Sequence, residues 1–373
     1  MKHLTYARKL HDLNVIKEQG HQEVILEHQT YSRLGKADST SFVELATRAK
    51  ELGLRVLLEW DILMTENVFS KVVQDLPALL RHVDSVRVQD PGAFEWIIKN
   101  SKLPVQFIAE NGNHNEKALQ GWIDHGQGRV ERIILSIELN RDVLGNLIQN
   151  LTVPCELLGF GRILLFYTPR ALLSPLQDDK LSYNEELTAL GESEESPHKG
   201  FPVVENRHGT FMFHIKEFSL IDYMEDLKAL GLDTFRLDLR EEGLSYLDLL
   251  NEPEKLKDAY PQDLMRGFYL VNKTDVLFPK LKNHRLQKRD GLYIGEVMEA
   301  EKGSHLAIIV KNPKGLQKNQ KIKILHPKGE EFEVEVRNLK DLSFEDVDHI
   351  PQNKLAIIPF LGGVWVKSQV FYI

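Results

Sequence analysis

The chain of 373 residues contains a single cysteine, Cys155. One thiol cannot form an internal disulfide, and it cannot supply the set of thiolates that a cysteine-bound zinc ion or iron–sulfur cluster needs. No apolar run approaches the roughly 20 residues of a membrane-spanning helix, and the first residues lack the apolar core of a secretory signal. We therefore expect a cytoplasmic protein without a membrane segment.

Several catalytic motifs are also absent from the sequence. It has no glycine-rich dinucleotide fingerprint after an early strand, no HExxH motif, no Gly-x-Ser-x-Gly elbow and no Walker loop. These absences argue against a Rossmann domain, a zincin, an α/β-hydrolase and a P-loop nucleotidase. Any chemistry must therefore come from a less standard arrangement of residues.

Charge is distributed unevenly along the sequence. The whole chain has a formal net charge of −8, but residues 266–340 contain 16 Lys and Arg against 9 Asp and Glu, a local charge of +7. The remainder therefore carries −15. Because Lys and Arg make the phosphate contacts of nucleic-acid-binding proteins, region 266–340 is the candidate surface for an RNA partner. A protein partner is a further expectation, with no region assigned to it.

Residues 1–265 alternate between short apolar strands and helices with one apolar face. The predicted strands are Glu23–Glu27, Arg55–Trp60, Ser85–Gln89, Val105–Ala109, Arg132–Leu139, Cys155–Phe160 and Thr234–Leu239. Either Lys2–Tyr6 or Thr210–Ile215 supplies the eighth. Repeated strand–helix units with buried strands predict an α/β fold, a (β/α)₈ TIM-like barrel.

Two further segments differ in pattern from the barrel. Residues 178–199 are acidic and serine-rich, and we interpret them as an excursion from the barrel. From residue 290 the apolar period changes to two, and six short strands predict a small C-terminal β-barrel over residues 290–373. Residues 266–289 would then link the two domains.

Polar residues recur where the barrel strands should end. Because the carboxyl ends of barrel strands form the active-site face, we take the carboxylates there as candidate catalytic residues: Glu59, Asp90, Glu138 and Asp238. Crowded carboxylates suit acid–base chemistry and would also accommodate a divalent metal. The alternative is that they cap helices or pair with arginines inside the barrel.

The stretch Cys155–Ser174 combines a buried strand with a loop that contains two arginines. Its match to a known signature consists of Glu156, Gly161, Arg162, Tyr167, Arg170, Leu172, Leu173 and Ser174. This pattern resembles the collagenase-like U32 peptidase family. The segments Val88–Gly92, Leu135–Leu139 and Phe235–Arg240 resemble other strand ends of that family.

The resemblance implies a barrel that is followed, in some members, by a small β-barrel. Some members carry a peptidase label, whereas others use an iron–sulfur cluster to assist oxygen-independent hydroxylation of RNA or quinone precursors. The positions where the family's pattern places cluster cysteines are Leu164 and Ala171 here. We therefore predict no iron–sulfur cluster and no other cofactor, apart from the divalent metal considered above.

Three functions remain open from the sequence. The first is an RNA-modification-associated or RNA-binding barrel protein, and the second is a peptidase-like hydrolase that uses the strand-end carboxylates. The third is a non-catalytic barrel that binds a ligand or a partner. The expected substrate-binding residues are Asn111, His114, Glu156, Arg162, Tyr167, Arg170, Arg236 and Arg240. Of these, Arg162 and Arg170 should be partly buried and hydrogen-bonded, because an unpaired buried guanidinium is costly.

Overall fold

The structure is a computed structural model that describes residues 1–110, 112–176, 186–192, 199–240, 249, 251–260, 263–270, 292–327 and 330–373. The chain divides into two compact units, Met1–Thr274 and Asp275–Ile373. Most of the predicted linker, residues 266–289, lies outside the described residues.

The first unit begins as a regular alternation of strands and helices. Its elements up to the eighth strand segment are β1 (Lys2–Leu4), β2 (Tyr6–Ala7), α1 (Leu10–Glu18), β3 (Glu23–Glu27), α2 (Ser39–Glu51), β4 (Arg55–Trp60), α3 (Glu66–Leu80), β5 (Ser85–Val88), α4 (Pro91–Asn100), β6 (Val105–Ile108), α5 (Glu116–His125), β7 (Val130–Leu135), α6 (Arg141–Asn150) and β8 (Cys155–Gly161). The remaining elements are β9 (Leu164–Thr168), β10 (Leu187–Glu192), β11 (Lys199–Asn206), β12 (Gly209–Phe213), β13 (Glu217–Ser219), α7 (Met224–Leu230), β14 (Thr234–Leu237), α8 (Pro253–Ala259) and β15 (Leu264–Met265), with 3₁₀ turns at Ser174–Leu176 and Ile221–Tyr223.

Parallel pairing closes the strands into a barrel. Neighbouring strands follow the order β1-β14-β8-β7-β6-β5-β4-β3-β2. Because β1 and β2 are consecutive segments on either side of Thr5, they form one strand that pairs with β14 at one edge and with β3 at the other. In the described residues this gives eight parallel strands, each followed by a helix along the chain, and confirms the predicted TIM-like fold.

The eighth barrel strand comes from the start of the chain. Segment Lys2–Tyr6 takes this position, whereas Thr210–Ile215 does not: Gly209–Phe213 is β12, in a separate antiparallel sheet. Sequence alone left both choices open because each is a short apolar run, and short runs fit either kind of sheet.

The helices cover the outside of the barrel, and α2 shows how the sequence specifies them. The Asp38 carboxylate accepts a hydrogen bond from the Ser41 N–H and caps the helix start. Phe42, Leu45 and Ala49 recur at helical spacing and are buried against the strands. Burying a residue of the size of Phe or Leu contributes about 1.5–3 kcal/mol.

A second sheet is inserted between β8 and α7. It is antiparallel, with the order β10-β11-β12-β9 in the described residues. Its strand β10 lies within the predicted acidic excursion, 178–199, most of which is outside the described residues. We call β9–β12 the inserted sheet. The chain then returns along β13, which pairs antiparallel with β8 at Phe218 and Gly161.

The second unit is an antiparallel β structure. Its strands are β16 (Tyr293–Glu301), β17 (His305–Val310), β18 (Leu316–Gln317), β19 (Lys321–Leu325), β20 (Glu331–Glu335), β21 (His349–Ile350), β22 (Leu355–Pro359) and β23 (Gln369–Tyr372). Six of them, in the order β20-β19-β23-β16-β17-β22, share one apolar core. Strands β18 and β21 form a separate two-stranded sheet. Each of the six strands of the larger sheet overlaps one of the six predicted strand segments, and the last segment, Val364–Phe371, is matched only in part.

Within the described ranges, no helix combines the length and the apolarity that crossing a membrane would require.

Candidate functional site

A network of ion pairs fills the interior of the barrel. At its centre, the Arg87 guanidinium donates hydrogen bonds to Glu59 at 2.8 Å, to Gln106 at 2.9 Å and to both carboxylate oxygens of Glu156 at 2.8 Å. Arg87 and Glu156 are fully buried. Strand alternation explains the arrangement, because the flanking Val86 and Val88 point outward to the helices while Arg87 points inward.

The network continues toward the carboxyl ends of the strands through Arg236. This side chain donates to Glu156 at 2.9 Å, to the Tyr6 hydroxyl oxygen at 2.9 Å and to Glu110. The Tyr6 hydroxyl in turn donates to Glu59 at 2.8 Å. Each of these groups therefore has a partner of complementary charge or hydrogen-bonding character, which is how buried polar groups are stabilised.

A third layer of ion pairs lies nearer the mouth. Arg240 donates to Glu27 at 2.6 Å and to Asp238 at 2.8 and 2.5 Å. Arg8 donates to the other oxygen of Glu27 at 3.3 Å, and the Arg240 guanidinium lies 3.9 Å from the centre of the Tyr6 ring.

This pairing sets the protonation states of the interior. Burial alone would raise the pKa of Glu156, but Arg87, Arg236 and Arg132 together lower it to about 2. Burial likewise opposes ionisation of Asp238, whose pKa Arg240 and Arg236 lower to about 2. Burial raises the pKa of Tyr6 well above its usual value. At neutral pH, Glu156 and Asp238 are therefore ionised and Tyr6 keeps its proton.

A cavity of about 310 Å³ lies in the first unit, above this charged floor. Its apolar lining comes partly from the barrel loops and partly from the inserted sheet: Leu34, Ile108, Ile137, Leu158, Ile163, Leu164, Leu165, Val204, Phe211, Phe213, Tyr260, Met265 and Phe268. Its charged lining is Arg8, Arg33, Lys36, Glu59, Asp61, Arg87, Glu110, Glu138, Arg162, Glu186, Glu217, Arg236, Asp238 and Arg240. The cavity therefore has an ionic floor and a largely apolar wall.

Two of the lining arginines are only partly engaged. Arg33 donates through Nε to Asp61 at 2.7 Å, and Arg162 donates through Nε to Glu217 at 3.2 Å. Among the described residues, neither arginine uses its terminal Nη groups in a hydrogen bond, whereas Arg87, Arg236 and Arg240 use both. Arg33 and Arg162 thus offer free donors to a ligand in the cavity.

The structure brings half of the sequence-predicted site residues to this cavity. Those that line it are Glu59, Glu138, Arg162, Arg236, Asp238 and Arg240. Glu156 lies below the floor, where it holds Arg87 and Arg236. His114 is outside the lining, with Nε2 4.0 Å from Glu138. Asn111 lies outside the described residues.

Two other predicted site residues have structural positions instead. Asp90 accepts a hydrogen bond from the Ala93 N–H at 2.9 Å and caps α4, as its position before Pro91 favours. Tyr167 lies on β9, stacks on Phe211 and donates to the His208 carbonyl.

Arg170 is a correction to the sequence prediction. Its side chain is exposed and makes no hydrogen bond or ion pair within the described residues. The expected partly buried, hydrogen-bonded state therefore holds for Arg162 but not for Arg170. The reason is geometric, because Arg162 leaves the barrel strand β8 directly whereas Arg170 follows β9 at the end of an antiparallel strand.

Sequence analysis missed several members of the network: Tyr6, Arg8, Glu27, Arg33 and Arg87. A signal was present for some of them. Arg87 is the one charged residue in the otherwise apolar segment Val86–Val88, and such an isolated charge in a buried strand must point to the barrel interior. Arg33 gave no comparable signal, since it lies in a loop.

No group of three or more His, Cys, Asp and Glu side chains in the described ranges is placed to hold a metal ion. The cluster positions suggested by the family pattern do not fit a cluster: Leu164 is an apolar wall residue and Ala171 is exposed. Cys155 is buried, and burial raises the pKa of its thiol to about 12.

A comparison with protein families finds one match over most of the first unit. The model of the family described as "Peptidase family U32" matches residues 8–252. No curated protein matches the chain.

Solved structures give weaker likenesses. The U32 peptidase Mk0906 is 13% identical, with a TM-score of 0.36 over 43% of this chain and 69% of that chain. The C-terminal domain of a putative U32 peptidase from Geobacillus thermoleovorans is 9% identical, with a TM-score of 0.22 over 23% and 99% of the two chains. A truncated 3-deoxy-D-arabino-heptulosonate 7-phosphate synthase from Thermotoga maritima is 14% identical, with a TM-score of 0.38 over 71% and 89%.

Proposed function

The chain belongs to peptidase family U32, and we propose that the cavity of its barrel is a binding site for an organic anion with an apolar body. Most charges of the floor neutralise one another, so the floor itself leaves little charge for a ligand or for proton transfer. The proposed role is therefore binding rather than bond cleavage.

The observation that carries this proposal is the state of the lining arginines. Arg33 and Arg162 each keep their Nη groups unbonded among the described residues, and both line the same cavity as Phe211 and Phe213. A guanidinium fork binds carboxylate or phosphate oxygens with two hydrogen bonds. The phenyl rings would meanwhile bury an apolar or planar part of the ligand.

RNA is the macromolecular form of such a ligand that we favour. A nucleotide carries a phosphate beside a planar base, and bases stack on aromatic side chains in single-stranded RNA recognition. The excess of Lys and Arg in residues 266–340 would add phosphate contacts outside the cavity. The cavity of the first unit and the charge distribution of the sequence each support an RNA-binding role.

The test measures binding to the full chain. We expect phenyl phosphate to raise the melting temperature with increasing concentration, and to compete with a fluorescein-labelled single-stranded RNA followed by anisotropy. Arg162→Gln should weaken binding of both ligands by about tenfold, the loss of one charge-assisted interaction. The control Arg170→Gln removes an exposed arginine outside the cavity and should leave affinity unchanged.

The two probes separate the parts of the proposal. Binding of phenyl phosphate without binding of RNA would keep the organic-anion site and remove the RNA role. Failure of the unmodified protein to bind either probe would contradict the proposed function.

A peptidase-like hydrolase is the second candidate, and Glu138 is the observation that favours it. Glu138 lines the cavity, and within the described residues it has no arginine partner, unlike the floor carboxylates. His114 Nε2 lies 4.0 Å from the Glu138 carboxylate, close enough for both side chains to contact one bound substrate. If this role holds, the protein should cleave unstructured peptides, and Glu138→Gln should abolish the cleavage. The absence of cleavage by freshly purified protein would count against this role.

A further inference from the structure

The guanidinium forks of Arg33 and Arg162, whose Nη groups are unbonded among the residues that the structure describes, are fixed on different sides of the barrel mouth. Arg162 directly follows β8, and its partner Glu217 lies on β13, which pairs with β8. Arg33 follows β3 and is held by Asp61, which directly follows β4. Strands β4 and β8 are four steps apart in an eight-stranded barrel, so the two anchors lie on opposite sides.

An aromatic ring of the inserted sheet lies close to each of the two arginines. The Arg33 guanidinium lies 6.0 Å from the centre of the Tyr167 ring on β9, and the Arg162 guanidinium lies 5.9 Å from the Phe213 ring on β12. Each fork is thus fixed between a barrel-side carboxylate and an aromatic ring, an arrangement that limits its movement toward the centre of the cavity. Two separate anion sites result, one at each arginine.

The part of the cavity between the two guanidinium groups is suited to an uncharged part of the ligand. The floor there consists of Arg236, Asp238 and Arg240, whose charges are matched within the protein. Leu165, Phe211 and Phe213 provide apolar wall above it. A single small anion could occupy one fork only, and its other side would face this wall.

We propose that the ligand carries two anionic groups on opposite ends of an apolar or planar body, so that Arg33 binds one group and Arg162 binds the other. This inference rests on the proposed function and narrows its ligand class. A nucleotide with a phosphate on each side, as within an RNA chain, and a dicarboxylate with a central ring share this chemistry. Glu138 also lines the cavity, but it is largely exposed and its repulsion is screened by solvent.

Isomeric ligand pairs test this geometry. The two dicarboxylates have equal charge, whereas the separated phosphate isomer has one acidic proton more than its partner, so a preference within the phosphate pair counts only if the double variants described below abolish it. Adenosine 3′,5′-bisphosphate places its phosphates apart, whereas adenosine 5′-diphosphate carries both at one end. Among dicarboxylates, para-phenylenediacetate and benzylmalonate form an equivalent isomeric pair. We expect the separated isomer of at least one pair to bind the full chain about tenfold more tightly than its partner in calorimetry. The pair that shows the preference identifies the phosphate or the carboxylate as the natural anionic group.

Double variants then test whether Arg33 and Arg162 form the two sites. Each variant replaces both members of an ion pair, so that neither member is left as a buried charge without the other. Arg33→Gln with Asp61→Asn removes one ion pair, and Arg162→Gln with Glu217→Gln removes the other. Each double variant should abolish the preference for the separated isomer and keep weak binding of both isomers, with a melting temperature close to that of the unmodified protein. Arg170→Gln is the control and should retain the full preference.

The outcomes distinguish this inference from the proposed function. Equal affinity for both isomers of each pair, or tighter binding of the isomers with both charges at one end, would overturn the two-site geometry while the organic-anion site remains. If none of the four anions binds, the proposed function fails as well. A preference that survives both double variants would also overturn the assignment to Arg33 and Arg162.

Discussion

Arg87 and Glu156 form a two-pronged ion pair across the centre of the barrel, with both nitrogen–oxygen distances at 2.8 Å. Arg87 lies on β5 and Glu156 on β8, three strands apart in the sheet. Arg236 also contacts Glu156. Glu156 therefore connects side chains from three strands, and we expect its loss to destabilise the whole barrel.

Replacing Glu156 by Gln is predicted to destabilise the protein strongly. The substitution removes one of the two carboxylate partners of the buried Arg87 and Arg236, and removing one member of a buried ion pair costs roughly 3–5 kcal/mol in other proteins. Urea unfolding followed by circular dichroism measures the free energy of unfolding. The control is Lys228→Ala, which removes an exposed pair with Glu225 and should change stability little. Equal effects of the two substitutions would show that the interior network does not stabilise the barrel.

Glu205 should make stability depend on acidic pH. Its carboxylate accepts hydrogen bonds from the N–H groups of Leu172, Leu173 and Ser174 at 2.5, 2.6 and 3.0 Å. Burial opposes its ionisation, but these bonds and Thr210 lower the pKa of Glu205 from 4.5 to about 2. A lowered folded-state pKa gives stability that is present above the unfolded pKa and is lost as pH falls through the folded value.

The matching experiment compares the unmodified protein with Glu205→Gln at several pH values. The variant should be less stable above about pH 4.5, and the difference should shrink as the pH falls toward about 2. Urea midpoints at each pH give the measurement. A difference that stays constant over this range would mean that the Glu205 carboxylate does not supply the stabilisation.

Gly161 is predicted to tolerate no side chain. Its φ is +143°, and a Cβ added there would lie 2.6 Å from the Cβ of Asp238. Gly161→Ala should therefore strain the backbone and displace the Asp238–Arg240 pair, at a cost of about 1–3 kcal/mol. Gly121→Ala is the matched control, because Gly121 lies within α5 and a Cβ there meets nothing within 4 Å. The control should be neutral or stabilising, and thermal melting compares the two.

Protein purified without oxygen is expected to be colourless. A protein-bound cubane cluster normally needs about four thiolates, and the chain has one, at the buried Cys155. Iron and acid-labile sulfide should both be absent by chemical analysis, and the visible spectrum should show no cluster band. Stoichiometric iron and sulfide would contradict this prediction and would require ligands from a partner chain.

Much of the fold could be predicted from local pattern. Helix α2 shows why: Asp38 caps its start, and apolar residues at helical spacing define its buried face. The six strands of the second unit follow equally from alternation and turn residues. The choice between Lys2–Tyr6 and Thr210–Ile215 could not be made this way, because barrel closure depends on which distant strand offers a free edge.

The candidate site was predictable only in part. Glu59 and Asp238 come at or just after the end of buried strands, so the barrel rule placed them correctly at the cavity. The same rule failed for Asp90, since a strand-end carboxylate followed by proline can cap the next helix instead. The environment of Arg170 was predicted wrongly, because the family signature continues past β8 into the inserted sheet. The rule that places site residues at the ends of barrel strands does not apply to that sheet.

The sequence by itself determined the order of the barrel units, the inward position of residues such as Arg87, and the absence of a thiolate set for a cluster. Only the tertiary structure decided which charges meet, because Arg87 and Glu156 are 69 positions apart and come together through closure of the barrel. It also decided that, within the part of the chain that the structure describes, Arg33 and Arg162 have unbonded Nη groups whereas Arg87, Arg236 and Arg240 do not. The alternation of a strand predicts on which face of the sheet a charged side chain lies. It does not predict the ion-pair partner, because that side chain reaches across the barrel from another strand.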